Sequence, residues 1–186
     1  MHQSCRRAFK EWRVICDALM EGRQTLLLRK GGIKEDGVFT ITNNAFFLMP
    51  TYEHQNPAML QDGYKTASGL TLPPPGDLMR LSVYARADVI LTLKDEAPIL
   101  SMPQEYIWNS DYIQQRFEYN PYDPLYALIL RVYTLPDPID IPMKAEYSGC
   151  KSWVTLESPI STVGLQPVLT DTEFDERRQA ILSTLT

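Results

Sequence analysis

The chain has 186 residues, of which 44% are hydrophobic and 22% are charged. This length suits one domain, so we expect residues 1–186 to form a single domain, and the composition excludes global disorder. Eighteen basic and 23 acidic residues give a net charge of -5, which is the wrong sign for a protein that coats phosphate backbones without preference. Any nucleic-acid role must therefore be local and directed at bases.

The sequence contains neither a secretion signal nor an apolar run long enough to span a bilayer. Its three cysteines, Cys5, Cys16 and Cys150, form no C-x-x-C pair, which argues against a disulfide framework and a thiolate zinc site. His2 and His54 are the two histidines, and neither has a partner at a metal-binding spacing. We therefore expect a soluble cytoplasmic protein with no membrane partner, no metal and no cofactor.

The predicted elements begin with an amphipathic helix at residues 7–21. Apolar residues recur there at steps of three and four, and Gly22 follows at the position of a helix C-cap. Three consecutive leucines at residues 25–29 then indicate a short buried strand. Apolar segments at residues 38–41 and 45–49 flank a turn rich in asparagine, which favours a β-hairpin.

The clearest pattern lies at residues 81–93, where every odd position is apolar and most even positions are polar. This period of two predicts a half-buried strand, long enough to curl around a barrel or to bend at a bulge. Residues 61–77 before it contain three consecutive prolines and predict an exposed loop. A short helix at residues 110–117, a buried strand at 125–133 and a proline-rich connection at 135–142 follow.

A strand at residues 153–156 and a terminal helix, which begins behind Thr170, complete the predicted order. Strands outnumber helices, yet helices lead, interrupt and end the chain, which is typical of the α+β class. We expect a small curved antiparallel β-sheet or barrel with N-terminal, middle and C-terminal helices.

Two arginines lie at the ends of predicted buried strands. Arg29, with Lys30 behind it, follows three leucines, and Arg131 follows the run Leu-Ile-Leu. A buried guanidinium needs a carboxylate, a carbonyl or a ligand, because an unpaired buried cation costs about 3 to 5 kcal/mol. Each arginine therefore forms an internal salt bridge or reaches water, or both converge on a phosphate or carboxylate of a ligand.

A polar turn, Tyr52 to Gln55, directly follows a predicted strand and includes Glu53 and His54. Loops at strand ends often present binding groups, although a capped turn that faces solvent would have the same composition. The motif inventory adds little, because the sequence has no P-loop, no G-x-G-x-x-G and no G-x-S-x-G.

A second turn combines Gly149, Cys150 and Lys151 before Trp153. In one interpretation Cys150 and Trp153 are core residues and the glycine permits a tight bend. In another, Trp153 is exposed beside Lys151 and stacks on a base. A Cys150 thiolate activated by His54 is a third interpretation.

Three segments carry a resemblance to a known family: LLRKGGI at residues 27–33, PTYEHQ at 50–55 and YSGCKSWVTL at 147–156. They resemble a prokaryotic family of domains of unknown function over nearly the whole chain, which implies one domain. The order of predicted elements is also similar to that of PUA-like folds, including the ASCH and EVE groups, small barrels that often bind RNA or modified bases. This second resemblance implies a ligand cleft near Arg29, Lys30, His54, Gln55 and Arg131.

The leading hypothesis is a binding module that recognises a nucleotide, a modified base or a short RNA segment. In it, the basic side chains hold anionic groups, and the aromatic, imidazole and amide side chains read or stack the base. Its candidate ligand-binding residues are Arg29, Lys30, Tyr52, His54, Gln55, Arg131 and Trp153.

Two alternatives remain open. A small metal-independent hydrolase or amidohydrolase would use Lys30 or His54 as its base and Glu53 to orient that base. A protein-interaction module would instead use the aromatic residues between Tyr106 and Tyr126 as a partner surface. The three hypotheses differ in whether Arg29, His54 and Trp153 open into one pocket.

Overall fold

A computed structural model describes residues 3–30, 44–66, 77–149 and 151–186. Its main elements, in chain order, are β1 (Ser4–Trp12), α1 (Arg13–Met20), β2 (Leu26–Lys30), β3 (Ala45–Thr51), β4 (Leu78–Leu93), α2 (Ala97–Leu100), α3 (Ser110–Glu118), β5 (Leu125–Pro142), β6 (Trp153–Ser161), β7 (Gln166–Pro167) and α4 (Asp171–Leu185).

The strands join one sheet in the order β2-β5-β4-β3-β1-β6, and β7 pairs with β5. Within the described residues β2 and β6 do not pair, so the sheet is open. Most neighbours are antiparallel, but β1 and β3 run in parallel. The predicted α+β class with three helical regions is confirmed, whereas the sheet is mixed and not wholly antiparallel. Because β1 and β3 run the same way, their carboxyl ends meet at one edge of the sheet.

The prediction of one helix over residues 7–21 is wrong for its first half. Residues Ser4–Trp12 form β1, which pairs with β3 on one side and β6 on the other. Helical spacing of apolar side chains is overridden there because a strand between two neighbours satisfies its backbone groups on both sides. The helix itself is Arg13–Met20, and Gly22 follows it with a φ of 70°, as expected of a C-terminal cap.

The long alternating strand is confirmed as Leu78–Leu93, with register shifts between Leu81 and Val83 and between Ala87 and Val89. The predicted connection at residues 135–142 is wrong, because β5 continues to Pro142 and pairs there with the start of β4. This half of β5 lies at an edge of the sheet. A proline is tolerated at an edge because its missing N–H removes no ladder bond.

The remaining predicted elements are confirmed with small changes of boundary. The strands at residues 25–29 and 153–156 and the helix at 110–117 correspond to β2, β6 and α3. Thr170 caps α4 and forms a reciprocal capping box with Glu173. Residues 45–49 lie in β3, but their proposed hairpin partner lies outside the described residues, as does most of the predicted loop.

The sheet carries a hydrophobic core on each face. The large core contains residues of α1, α3 and α4 packed on the strands and includes Phe9, Leu19, Leu27, Phe46, Trp108, Tyr112, Leu128 and Phe174. The small core contains Ala8, Phe47, Met49, Met79, Leu81, Tyr84, Tyr133, Leu135, Tyr147, Val154, Leu156 and Ile160. Neighbouring residues of β1 and of β3 therefore serve opposite cores, as the period of a strand requires.

The aromatic stretch proposed as a partner surface is mostly interior. Tyr106, Trp108 and Tyr112 stack in the large core, with ring centroids 5.5 Å and 5.1 Å apart. Only Tyr119 and Tyr122 are strongly exposed among the large apolar side chains of this stretch that the structure describes. In the described ranges, no helix has the length and apolar character needed to cross a membrane.

Candidate ligand-binding cleft

A cleft of about 180 Å³ opens at the edge of the sheet where β1 and β3 end. Three parts of the chain form it: the carboxyl ends of β1 and β3, the adjacent ends of β4 and β5, and the turn that precedes β6. Its lining residues are Lys10, Met49, Pro50, Thr51, Tyr52, Glu53, Met79, Met143, Ser148 and Gly149.

Strand pairing brings these distant segments together. Lys10 of β1 lies opposite Met49 of β3 in the parallel register. The backbone N–H of Lys10 donates to the Ser152 carbonyl at 2.8 Å, which holds the turn before β6 beside β1. At the other wall, the Met143 N–H donates to the Asp77 carbonyl at 2.6 Å.

The cleft combines an apolar wall with a few polar groups. Met49, Met79 and Met143 supply the apolar surface, and unbranched thioether side chains adapt to the shape of a ligand. The Lys10 ammonium donates to the Gly149 carbonyl at 3.0 Å. The hydroxyl of the half-buried Tyr52 accepts a 3.4 Å hydrogen bond from the Arg13 guanidinium, which helps to fix the orientation of the Tyr52 side chain.

The electrostatics beside the cleft are set by Arg13. Burial lowers the pKa of its guanidinium. Asp17 and the Tyr52 hydroxyl together raise this pKa by more than burial lowers it, so the net shift is upward. Arg13 also pairs with Asp17 at 2.8 Å. It therefore stays charged and acts on Tyr52 as a fixed hydrogen-bond donor.

Of the seven candidate residues, Tyr52 alone lines this cleft. His54 lies in the same turn but is exposed, with a φ of 63°. Gln55 accepts a hydrogen bond from the Val14 N–H at 3.0 Å, so its side chain binds the first turn of α1. The polar turn is thus divided between the cleft, solvent and a helix end.

Arg131 holds the start of α4. Its guanidinium donates to the Asp171 carboxylate at 2.6 Å and to the Thr170 carbonyl at 3.1 Å. The Phe174 ring centre lies 4.9 Å from the guanidinium carbon. The internal salt bridge is therefore the role that the structure gives to this arginine.

Arg29 and Trp153 lie on the large-core side of β1. Arg29 donates to the Glu11 carboxylate at 2.7 Å and to the Lys10 carbonyl at 2.6 Å. Trp153 packs edge-on against Phe9, at 4.6 Å between ring centroids. Through these hydrogen bonds Arg29 links β2 to β1, two strands that are not neighbours in the sheet.

Lys30 was one of the two bases proposed in the hydrolase hypothesis. The Lys30 ammonium donates to the Phe117 carbonyl at 3.0 Å, which places it against α3 and not in the cleft. None of Arg29, His54 and Trp153 lines the cleft, so the cleft is not the shared pocket on which the three hypotheses differ. Cys150, the proposed nucleophile, lies outside the described residues.

Sequence reasoning missed Lys10 and the three methionines. Lys10 was missed because the apolar residues of its segment have helical spacing, and residues Ser4–Trp12 show no regular alternation of polar and apolar side chains that would indicate a strand. The methionines come from three separate strand ends. Only the pairing of the β4 start with the β5 end brings Met79 and Met143 together.

The α+β fold of the chain is similar to that of ASCH proteins, one of the PUA-like groups. The chain is similar to the ASCH protein from Zymomonas mobilis, with a TM-score of 0.50, 14% identity, and coverage of 97% of this chain and 95% of that chain. Crystal structures of a serine-to-alanine variant and a tyrosine-to-phenylalanine variant of that protein give the same TM-score of 0.50 at 13% identity. They cover 97% of this chain and 96% and 98% of theirs. At this identity the likeness shows the fold.

The chain belongs to the family described as "Domain of unknown function (DUF1802)", whose sequence profile matches residues 8–180. No curated protein matches the sequence.

Proposed function

We propose that the protein is a binding module that recognises one base of a nucleotide or of a short RNA segment in the cleft. The observation that carries this proposal is the cleft itself, with its methionine wall, Tyr52 and Lys10. The PUA-like fold supports it, because folds of this kind often bind RNA or modified bases.

The size of the cleft favours a single ring system. Its volume is about 180 Å³, and a protein cavity of about 150 Å³ accommodates benzene. A single base therefore fits in the cleft. The thioethers and the Tyr52 ring offer surface to the base faces, and stacking of this kind contributes about 1 to 3 kcal/mol per base.

The polar groups are placed to read the edge of a base or to meet one phosphate. Thr51, Ser148 and the backbone around Gly149 provide donors and acceptors at the rim. Lys10 is the one cation among the lining residues that the structure describes, and it is balanced by the exposed carboxylate of Glu53. This charge pattern favours recognition of a base over binding of an extended phosphate backbone.

The first test is binding of bases, nucleosides, mononucleotides and short single-stranded RNAs, measured by calorimetry or fluorescence anisotropy. We expect Tyr52→Ala to weaken binding about tenfold or more, because the stacking surface is lost. Lys10→Gln is expected to weaken nucleotides about tenfold and to leave uncharged nucleosides nearly unchanged.

Tyr122→Ala and Lys94→Gln are the matched controls, since both residues are exposed and neither lines the cleft. Both should bind as the parent protein does. No binding by the parent across the whole panel, or an unchanged affinity in Tyr52→Ala, would exclude the proposal.

A further inference from the structure

A second cluster of charged groups lies on the other side of β1 from the cleft. Lys10 lines the cleft, whereas the next residue, Glu11, points into the large-core side and pairs with Arg29 at 2.7 Å. Arg116 of α3 lies on the same side, with its guanidinium carbon 4.8 Å from the centre of the Tyr112 ring. We call Arg29, Arg116 and Glu11 the arginine cluster.

The members of the arginine cluster act on one another. Burial lowers the pKa of Arg116, but the Tyr112 hydroxyl and the Glu11 carboxylate raise it, and the net shift is upward. Burial also raises the pKa of Tyr112, with Arg116, Glu11 and Arg29 all acting on it. Arg29, Arg116 and Glu11 therefore all act on the same tyrosine hydroxyl, and Arg29 pairs directly with Glu11.

The cluster carries an excess of positive charge. Glu11 neutralises Arg29, and Arg116 forms no ion pair within the part of the chain that the structure describes. Lys30, which ends the same strand as Arg29, adds a further cation whose ammonium meets a carbonyl and no acid in those ranges. Partly buried positive charge of this kind favours an anionic ligand.

Two donors in the cluster lack an acceptor. Arg29 Nε and Arg116 Nε are both buried and have no hydrogen-bond partner among the described residues. A buried N–H without an acceptor is costly, and native proteins usually satisfy such groups with protein, water or ligand atoms. The Arg29 side chain keeps 17% of its surface exposed, so part of this guanidinium side chain reaches solvent although its Nε is buried.

The guanidinium groups are held in fixed orientations by aromatic rings. The Phe9 ring centre lies 4.2 Å from the Arg29 guanidinium carbon, and the Tyr112 ring supports Arg116 in the same manner. An arginine held against a ring presents its donors in a preorganised plane, which suits the several oxygens of a phosphate.

We propose that the arginine cluster is a binding site for a phosphate group, separate from the base-binding cleft. Arg29 and Arg116 would donate to the phosphate oxygens, and Glu11 would limit the affinity by its like charge. This site does not depend on the proposed function of the cleft, because the two lie on opposite faces of β1.

The test uses inorganic phosphate and a nucleoside monophosphate, titrated into the intact protein at constant ionic strength and followed by calorimetry and by ³¹P NMR. We expect saturable binding by the parent protein. Arg116→Gln should weaken it about tenfold or more, because one charge-assisted interaction is lost. Glu11→Gln should strengthen it about tenfold, because the competing carboxylate is replaced by an amide that still accepts from Arg29.

Arg23→Gln is the matched control, since Arg23 also lies over an aromatic ring, that of Tyr64, but outside the cluster. It should bind phosphate as the parent does. Chemical denaturation of each variant shows whether it is folded, and the Glu11→Gln result remains informative even if Arg116→Gln is unstable, because a gain of affinity is not a consequence of unfolding.

The proposal would be overturned if neither the parent nor Glu11→Gln bound phosphate saturably. It would also be overturned if a folded Arg116→Gln bound phosphate as the parent does. A third contrary result is that Lys10→Gln loses phosphate binding while Arg116→Gln keeps it. The last result would assign the phosphate to the cleft. If the nucleoside monophosphate competes with inorganic phosphate and binds more tightly, the natural anion is part of a nucleotide; if inorganic phosphate binds more tightly, the anion is free phosphate. Either order supports the site.

Discussion

At the scale of single residues, the demand of a buried charge for a partner was predictable, but the identity of that partner was not. The positions of Arg29 and Arg131 at the ends of apolar strands predict a carboxylate, a carbonyl or a ligand as the partner of each. The structure supplies Glu11 for one and Asp171 for the other. Both acids lie far away in sequence, so local patterning holds no information about them.

A tyrosine of the small core makes stability depend on alkaline pH. Burial raises the pKa of Tyr84 from 10.0 to about 12, and its ring packs on Phe47 at 5.1 Å between centroids. The unfolded chain ionises this hydroxyl at lower pH than the folded chain does. The contribution of Tyr84 to the free energy of unfolding is therefore fully present below pH 10.0 and is lost as the pH rises from there to about 12.

We expect Tyr84→Phe to lose less stability over this range than the parent does, since it has no hydroxyl to ionise at this position. The measurement is the urea midpoint as a function of pH. The exposed Tyr122→Phe serves as the comparison and should follow the parent curve. Parallel curves for the parent and Tyr84→Phe would contradict the expected role of this residue.

At the scale of elements, sequence reasoning predicted the helices and strands whose local sequence pattern agrees with the conformation that tertiary packing imposes. β4 has an apolar residue at every odd position from 81 to 93, and α4 follows a threonine that forms a capping box, so both elements were found. β1 has helical spacing of its apolar residues but is a strand, because β3 and β6 pair with it on both sides. The end of β5 contains prolines that indicate a loop, yet it pairs with β4 along an edge.

The cap of α4 offers a quantitative test at this scale. The Thr170 hydroxyl accepts from the Glu173 N–H, and the Glu173 carboxylate accepts from Thr170. Thr170→Ala should lower the free energy of unfolding by about 1 kcal/mol, because one helix N–H loses its acceptor.

Thr172→Ala, an exposed substitution in the same turn, should change the free energy by less than about 0.5 kcal/mol. Urea denaturation measures both values. Equal effects of the two substitutions would mean that the capping box adds nothing to stability.

At the scale of the whole molecule, the acidic charge limits how a nucleic acid can bind. The net charge is -5, and the described part of the cleft lining contains one lysine. Composition alone therefore predicted local, base-directed recognition. The place of the cleft was not predictable from sequence, because it needs strand ends that are distant in the chain to meet.

This charge predicts a weak salt dependence of RNA binding. With one or two phosphates neutralised, the logarithm of affinity should fall with the logarithm of salt concentration with a slope of about -0.7 to -1.4. Fluorescence anisotropy over a series of salt concentrations measures it. A slope of about -4 or steeper would indicate a long basic track and would contradict recognition of a single base.

Lys10 and Glu11 point to opposite faces of β1, so the cleft and the arginine cluster both depend on the register of this strand. Inserting or deleting one residue ahead of this pair would exchange the faces, turning an ammonium toward the guanidinium groups and a carboxylate toward the methionines. Such a register shift would remove both proposed binding sites in one step, whereas each point substitution would affect one of them.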